Sequence, residues 1–256
     1  MCKRRRLPAN LQVMRLLIAG AILALGLAGC AGGPSPGEAS PGEASPGEPG
    51  PRTLATARPL PTQGATEYRI LPESSELRLR VYRGGPLADL GHNHVIVTSR
   101  IEGRLYLQPQ LADSGFALRV SVDGFQVDPA QARGQEGKDF AGQLSAEDRQ
   151  ATKDNMLGPE VLDAKAYPSI TLRSLGLTGP PWYPRITLRI TLHGVSRDYV
   201  VPTAIVREPG RLAAIGGLHI RQSDFGITPF TALGGGLRVK DGVDIAFHFV
   251  AAPVAN

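Results

Sequence analysis

Ile186-Thr187-Leu188-Arg189-Ile190-Thr191-Leu192-His193 sets an aliphatic residue at every second position and a polar one between. A period of two belongs to a strand with one face buried and one in water, because successive side chains leave opposite faces. The alternation recurs along the chain. Leu77, Leu79 and Val81 alternate with Arg78, Arg80 and Tyr82, and Phe116, Leu118, Val120 and Val122 with Ala117, Arg119, Ser121 and Asp123. Val243, Ile245, Phe247 and Phe249 alternate with Asp244, Ala246, His248 and Val250. Weaker runs occupy 94–107, 168–175, 198–207 and 212–222. Gly84-Gly85-Pro86, Asp113-Ser114-Gly115, Gly179-Pro180-Pro181, Glu208-Pro209-Gly210 and Asp241-Gly242 read as the turns between them.

About eight strands, each with one apolar face, suit a closed antiparallel barrel or a sandwich, an all-β class in either case. One helical insertion is expected. Ser145-Ala146-Glu147-Asp148 has N-cap spacing, and the residues after it can stay helical up to Gly158. A barrel of about this many strands encloses its own side chains or one small ligand. The apolar parity is expected to face inward, and the Arg, Thr and Asp parity outward.

The chain ahead of these strands has a different character. Lys3 to Arg6 form a positive segment, and Leu16 to Leu27 an apolar one that is too short to span a bilayer as a helix. Together they fit a secretory signal over residues 1–29. Leu27-Ala28-Gly29-Cys30 resembles the lipobox of bacterial lipoproteins. That resemblance implies cleavage before Cys30, a lipid on its sulfur, and a protein held at the periplasmic face of a membrane. Residues 30–66 then read as a linker. The unit Pro-Gly-Glu-Ala-Ser runs from Pro36 to Ser40 and again from Pro41 to Ser45, with an altered copy from Pro46 to Gly50. Such a segment has too little apolar surface to offset its ordering entropy. The folded domain is expected over 67–256.

Charge and cysteine content exclude several functions. The 256 residues carry 28 Lys and Arg against 23 Asp and Glu, but Lys3, Arg4, Arg5, Arg6 and Arg15 all precede Cys30. The body is therefore neutral, unlike a nucleic-acid binder, whose affinity rests on phosphate neutralisation. Cys2 and Cys30 are the two cysteines, so the domain has no thiol for catalysis, for redox exchange or for a zinc site.

Four further pieces occur in order. They are Asn155-Met156-Leu157 through Asp163 into Tyr167-Pro168-Ser169-Ile170, then Leu192-His193-Gly194-Val195-Ser196-Arg197, Arg221-Gln222-Ser223-Asp224-Phe225-Gly226-Ile227, and Val239-Lys240-Asp241-Gly242-Val243. Over roughly 68–251 the chain resembles the YceI-like polyisoprenoid-binding proteins. The resemblance implies a lipocalin-like barrel with an apolar channel for an isoprenoid chain, and brings no catalytic constellation. The chain departs from the family pattern at Gly103-Arg104-Leu105, where many members have Gly-x-Phe-x-x-Phe, and at Leu90-Gly91-His92-Asn93-His94-Val95-Ile96.

His92 and His94, two apart, would share one face of a strand. They could hold a metal if Asp89, His193, His219 or His248 supplied further ligands, or one imidazole could bond a ligand headgroup at the barrel mouth. Asp224-Phe225-Gly226 stands apart from any phosphate loop and reads as structural: Phe225 packing, Gly226 bending the chain, Asp224 capping a turn. The expected function is non-catalytic binding of an isoprenoid-like or other apolar lipid, with no other cofactor and no nucleic acid. Leu118, Val120, Val122, Ile186, Leu188, Ile190, Ile245, Phe247 and Phe249 are the expected channel lining. A metal-binding envelope protein, or a structural or stress-related lipoprotein with a filled barrel, are the alternatives.

Overall fold

The computed structural model describes residues 54 and 56–255. The expected signal segment, Cys30 and the repeats up to Gly50 lie outside the described residues. In chain order the elements are β1 (Thr66–Ile70), β2 (Glu76–Gly84), β3 (His94–Thr98), β4 (Ile101–Leu107), β5 (Gly115–Ser121), β6 (Gln126–Val127), α1 (Ala130–Gly134), α2 (Ala146–Leu157) and β7 (Ser169–Thr178). There follow β8 (Arg185–Leu192), β9 (Val195–Glu208), β10 (Arg211–Arg221), β11 (Thr231–Ala232) and β12 (Leu237–Pro253). The alternating octet from Ile186 is thus β8, with Ile186, Leu188, Ile190 and Leu192 all buried.

Strand neighbours run β1-β4-β5-β7-β8-β9-β10-β12, and β12 pairs back to β1, closing a ring of eight antiparallel strands. Closure leaves no edge within the ring. β12 is seventeen residues long and serves two neighbours in succession. Its first part, Arg238 to His248, pairs with β2, and Ala251 to Pro253 pair with β1. β2, β3 and β6 branch from it as an extension at one end of the barrel. That end also carries both helices and the connections 85–93 and 222–236. At the opposite end, residues ahead of β1 lie against the barrel: Gln108 donates to the carbonyls of Pro61 and Gln63, and Arg173 to that of Arg58.

Local chemistry explains most element limits. Ser145 Oγ accepts from the Asp148 amide, capping α2, whose first turn carries Glu147 and Asp148 at the favourable end of its dipole. β4 and β5 approach closely at Gly103, where φ is +152° and a Cβ would stand 2.4 Å from the Ala117 carbonyl oxygen. Phe225 is fully buried against Tyr199 in the turn Ser223–Phe225, as a structural role requires. The capping carboxylate there is Asp241, which accepts from both the amide and the hydroxyl of Ser223. Asp224 was the sequence candidate, and the neighbouring strand supplies the group instead.

Two buried apolar clusters occupy the barrel. One is built on Ile101, Val120 and Phe125, the other on Ile190, Val201 and Phe225. The same partly buried side chains, among them Leu79, Val81, Phe116, Leu172, Ile245 and Phe247, pack against both. They are short of full burial because they border a cavity between the clusters. A third cluster of Val95, Ala132 and Phe140 lies outside the wall of β2 and β3, beneath α1. Glu136 ties that cover to the barrel through Arg78 at 3.0 Å and Arg80 at 2.6 Å.

Candidate functional site

A cavity of about 560 Å³ runs through the barrel interior. Its walls are the inward parity of the strands. Of the expected lining, Leu118, Val120, Ile186, Leu188, Ile190, Ile245, Phe247 and Phe249 border it. Val122 does not: the chain leaves β5 one residue earlier, and Val122 is buried in the turn Val122–Gly124, packed with the cluster around Phe125. The floor is apolar, formed by buried Ile70, Leu212 and Ala251. Exposed lining residues gather at the other end, where Leu90, His92, Asp148, Ala151, Asn155 and Arg238 mark the mouth.

The departure from the family pattern at Leu90 to Ile96 builds one lip of that mouth. Asn93 is buried and latches it: its Oδ1 accepts from the Arg83 amide at 3.0 Å, and its Nδ2 donates to the Asp139 carbonyl at 3.0 Å. Arg83 Nη1 adds a bond to the Gly91 carbonyl at 2.7 Å. His92 precedes β3 and is exposed, so the two imidazoles do not share a strand face. His94 opens β3 on the same parity as Ile96 and points inward beside the cavity.

His94 has a partner that sequence spacing concealed. Its Nδ1 lies 2.6 Å from Oδ2 of Asp128, thirty-four residues on. Asp128 is 1% exposed and holds a left-handed backbone, φ +49°, just ahead of Pro129. Its other oxygen accepts from the Val95 amide at 2.9 Å and from Arg133 Nη1 at 2.7 Å. Burial alone would push this carboxyl up, but the His94 and Val95 hydrogen bonds and the charge of Arg133 outweigh it and hold the group below its ordinary value. Asp128 is therefore a carboxylate, and His94 Nδ1 is the donor. Arg133 Nη1 also bonds the Asn93 carbonyl, so latch and ion pair form one network.

The remaining histidines stand elsewhere. His193 occupies the β8–β9 turn with φ +51° and packs on Tyr167 at 4.8 Å between ring centroids. His219 and His248 lie on the outer face, His219 bonded to Asp244 at 2.7 Å. Asp244 also accepts from Tyr82 at 2.7 Å, and burial first, then this carboxylate, pushes the Tyr82 hydroxyl up to about 12. Among the described residues, no three His, Cys, Asp or Glu side chains come together closely enough to hold a metal ion.

The YceI-like domain family matches residues 68–251. This chain belongs to the YceI-like family. Among solved structures, BcnA from Burkholderia cenocepacia superposes with a TM-score of 0.52 at 18% identity, over 72% of this YceI-like chain and 99% of that one. A polyisoprenoid-binding domain from Saccharophagus degradans gives 0.51 at 12% identity, over 73% and 98%. At such identities the likeness is one of fold. No curated protein sequence matches the chain. The family elements read from sequence meet in this YceI-like barrel: the ring of Tyr167 lies on the His193-Gly194 turn, beside the strand that starts at Ser169.

Proposed function

We propose that this YceI-like protein is a non-catalytic binder of an apolar chain, isoprenoid-like or another lipid, working at the periplasmic face of a membrane to which Cys30 anchors it. The cavity carries the reading. Protein interiors close to voids smaller than a water molecule, whereas this barrel keeps about 560 Å³ open between its two clusters. A core packed only for stability would fill such a volume with its own side chains. A chain that keeps that volume has a use for it. The volume is that of a small-molecule pocket. Aliphatic walls favour a hydrocarbon at about 25 cal/mol per Å² removed from water and discriminate weakly along its length. The fold likeness to a polyisoprenoid-binding domain agrees with this ligand class, and the lipobox at Cys30 with the location.

Native mass spectrometry tests the reading on the exported chain carrying Cys30→Ser, before and after organic extraction. A co-purifying lipid mass, or uptake of an added isoprenoid quinone after extraction, is the expected result. Neither bound lipid nor uptake would overturn it.

A further inference from the structure

The mouth of the cavity holds a group that hydrocarbon binding does not need. His94 is on the inward parity of β3, opposite Val81 in the register, and both border the cavity. A purely apolar ligand would be served by an aliphatic residue there. Instead the position carries an imidazole, held by Asp128, whose other oxygen is held by the Val95 amide and Arg133.

We infer that Asp128 sets His94 as the hydrogen-bond acceptor for a hydroxyl group at the head of an otherwise apolar ligand. This rests on the reading of the cavity as a lipid site and adds how that site reads the polar end. Asp128 is ionised and can only accept, so Nδ1 of His94 carries the proton in the 2.6 Å bond. The negative charge of Asp128 is already met by Arg133, itself buried, at 2.7 Å. In the neutral Nδ1–H tautomer the other nitrogen, Nε2, has a free lone pair. Among the described residues no group bonds Nε2, and His94 borders the cavity. An acceptor at the rim of an apolar channel selects a ligand that can donate: an alcohol or phenol, rather than an ether, an ester or a bare hydrocarbon.

The surroundings make the acceptor a fixed one. Asp128 stands in a left-handed conformation that few non-glycine residues adopt, and the Val95 amide and Arg133 grip its second oxygen. Asn93, next to His94, is latched on two sides, so the imidazole cannot follow a moving lip. A carboxylate that fixes tautomer and orientation without touching the ligand is a positioning residue, and His94 is the binding one.

The test compares geranylgeraniol, its methyl ether and its monophosphate, each displacing a fluorescent apolar probe from the extracted Cys30→Ser chain. The alcohol is expected to bind about fivefold more tightly than the ether, the effect of one buried hydrogen bond. His94→Leu should bring that ratio to about one while leaving the ether affinity unchanged. Asp128→Asn should do the same, because an amide facing Nδ1 can donate and drive the proton to Nε2; a merely structural role would shift both ligands together. Equal binding of alcohol and ether by the unaltered site overturns the inference without any variant having to fold. So does a preference that survives His94→Leu, or a phosphate that binds tightest and is lost in that variant, which would make His94 a cation. Binding of none of the three overturns the lipid-site reading itself, and this inference with it.

Discussion

The ring of Tyr167 covers Gly194: a Cβ built on that glycine would stand 2.8 Å from Cε1 of the tyrosine. Gly194 also has φ +74°, following His193 at +51°, so the two-residue turn between β8 and β9 has both central residues in the left-handed region. Such a turn matches the right-handed twist of the strands it joins. Gly194→Ala meets both constraints at once and is expected to cost about 1–3 kcal/mol. Urea unfolding reads it, and adding Tyr167→Ala should recover only the steric share. A Gly194→Ala protein with an unchanged midpoint would show that the ring yields freely.

Asp128 gives the barrel an acid-side dependence. Its folded-state pKa is depressed, so its contribution is complete above the unfolded value, about 3.9. The contribution is lost as pH falls through the lower folded value. The stability gap between the natural protein and Asp128→Asn should therefore be flat from neutrality to about pH 5 and should shrink below about pH 4. Asp128→Ala, which leaves Arg133 buried without its partner, is expected to cost about 3–5 kcal/mol near neutrality. Denaturant curves across pH check both; a gap that widened below about pH 4 would mean that Asp128 is bound more tightly as the acid than as the carboxylate.

Leu188 is buried on β8 and borders the cavity. In Leu188→Trp the indole can enter the cavity volume, so bound lipid should fall severalfold while the melting temperature holds. Were the interior filled at that point, overpacking would cost about 1–3 kcal/mol instead. Thermal melts and native mass spectrometry on one preparation separate the two results.

The proposed anchor is tested by location. Exported from an ordinary signal peptide, the chain with Cys30→Ser should leave the membrane fraction on a salt wash, since acyl chains supply about 0.8 kcal/mol per buried methylene. Retention after the wash would show that another surface holds it.

Strand parity was legible where a strand keeps one face buried over several turns of the alternation, as β8 does from Ile186 to Leu192. β1 escaped notice because Thr66–Ile70 is short and directly follows the proline-rich segment. Val122 was misplaced by extending the alternation as far as Asp123, where the turn signal Asp123-Gly124 could have stopped it. The mouth network was invisible for a different reason. Asp128, Arg133 and Asn93 meet His94 only after β3 and β6 pair, and no local spacing links residues thirty-four positions apart. His94 itself could have been placed inward, since it shares parity with Ile96.

The pairing of Tyr68 with Pro253 joins the first strand to the last, so the ring cannot close until nearly the whole domain is present. β12 alone satisfies β10, β2 and β1. A chain emerging from its N-terminus exposes those three edges until its final residues appear, and bare strand edges template aggregation. Closure over so long a loop makes folding slow as well as late. A truncation of only the last few residues would therefore act less like a frayed end than like a hoop left unfastened, because β1 would lose its partner in β12 and the ring its closure.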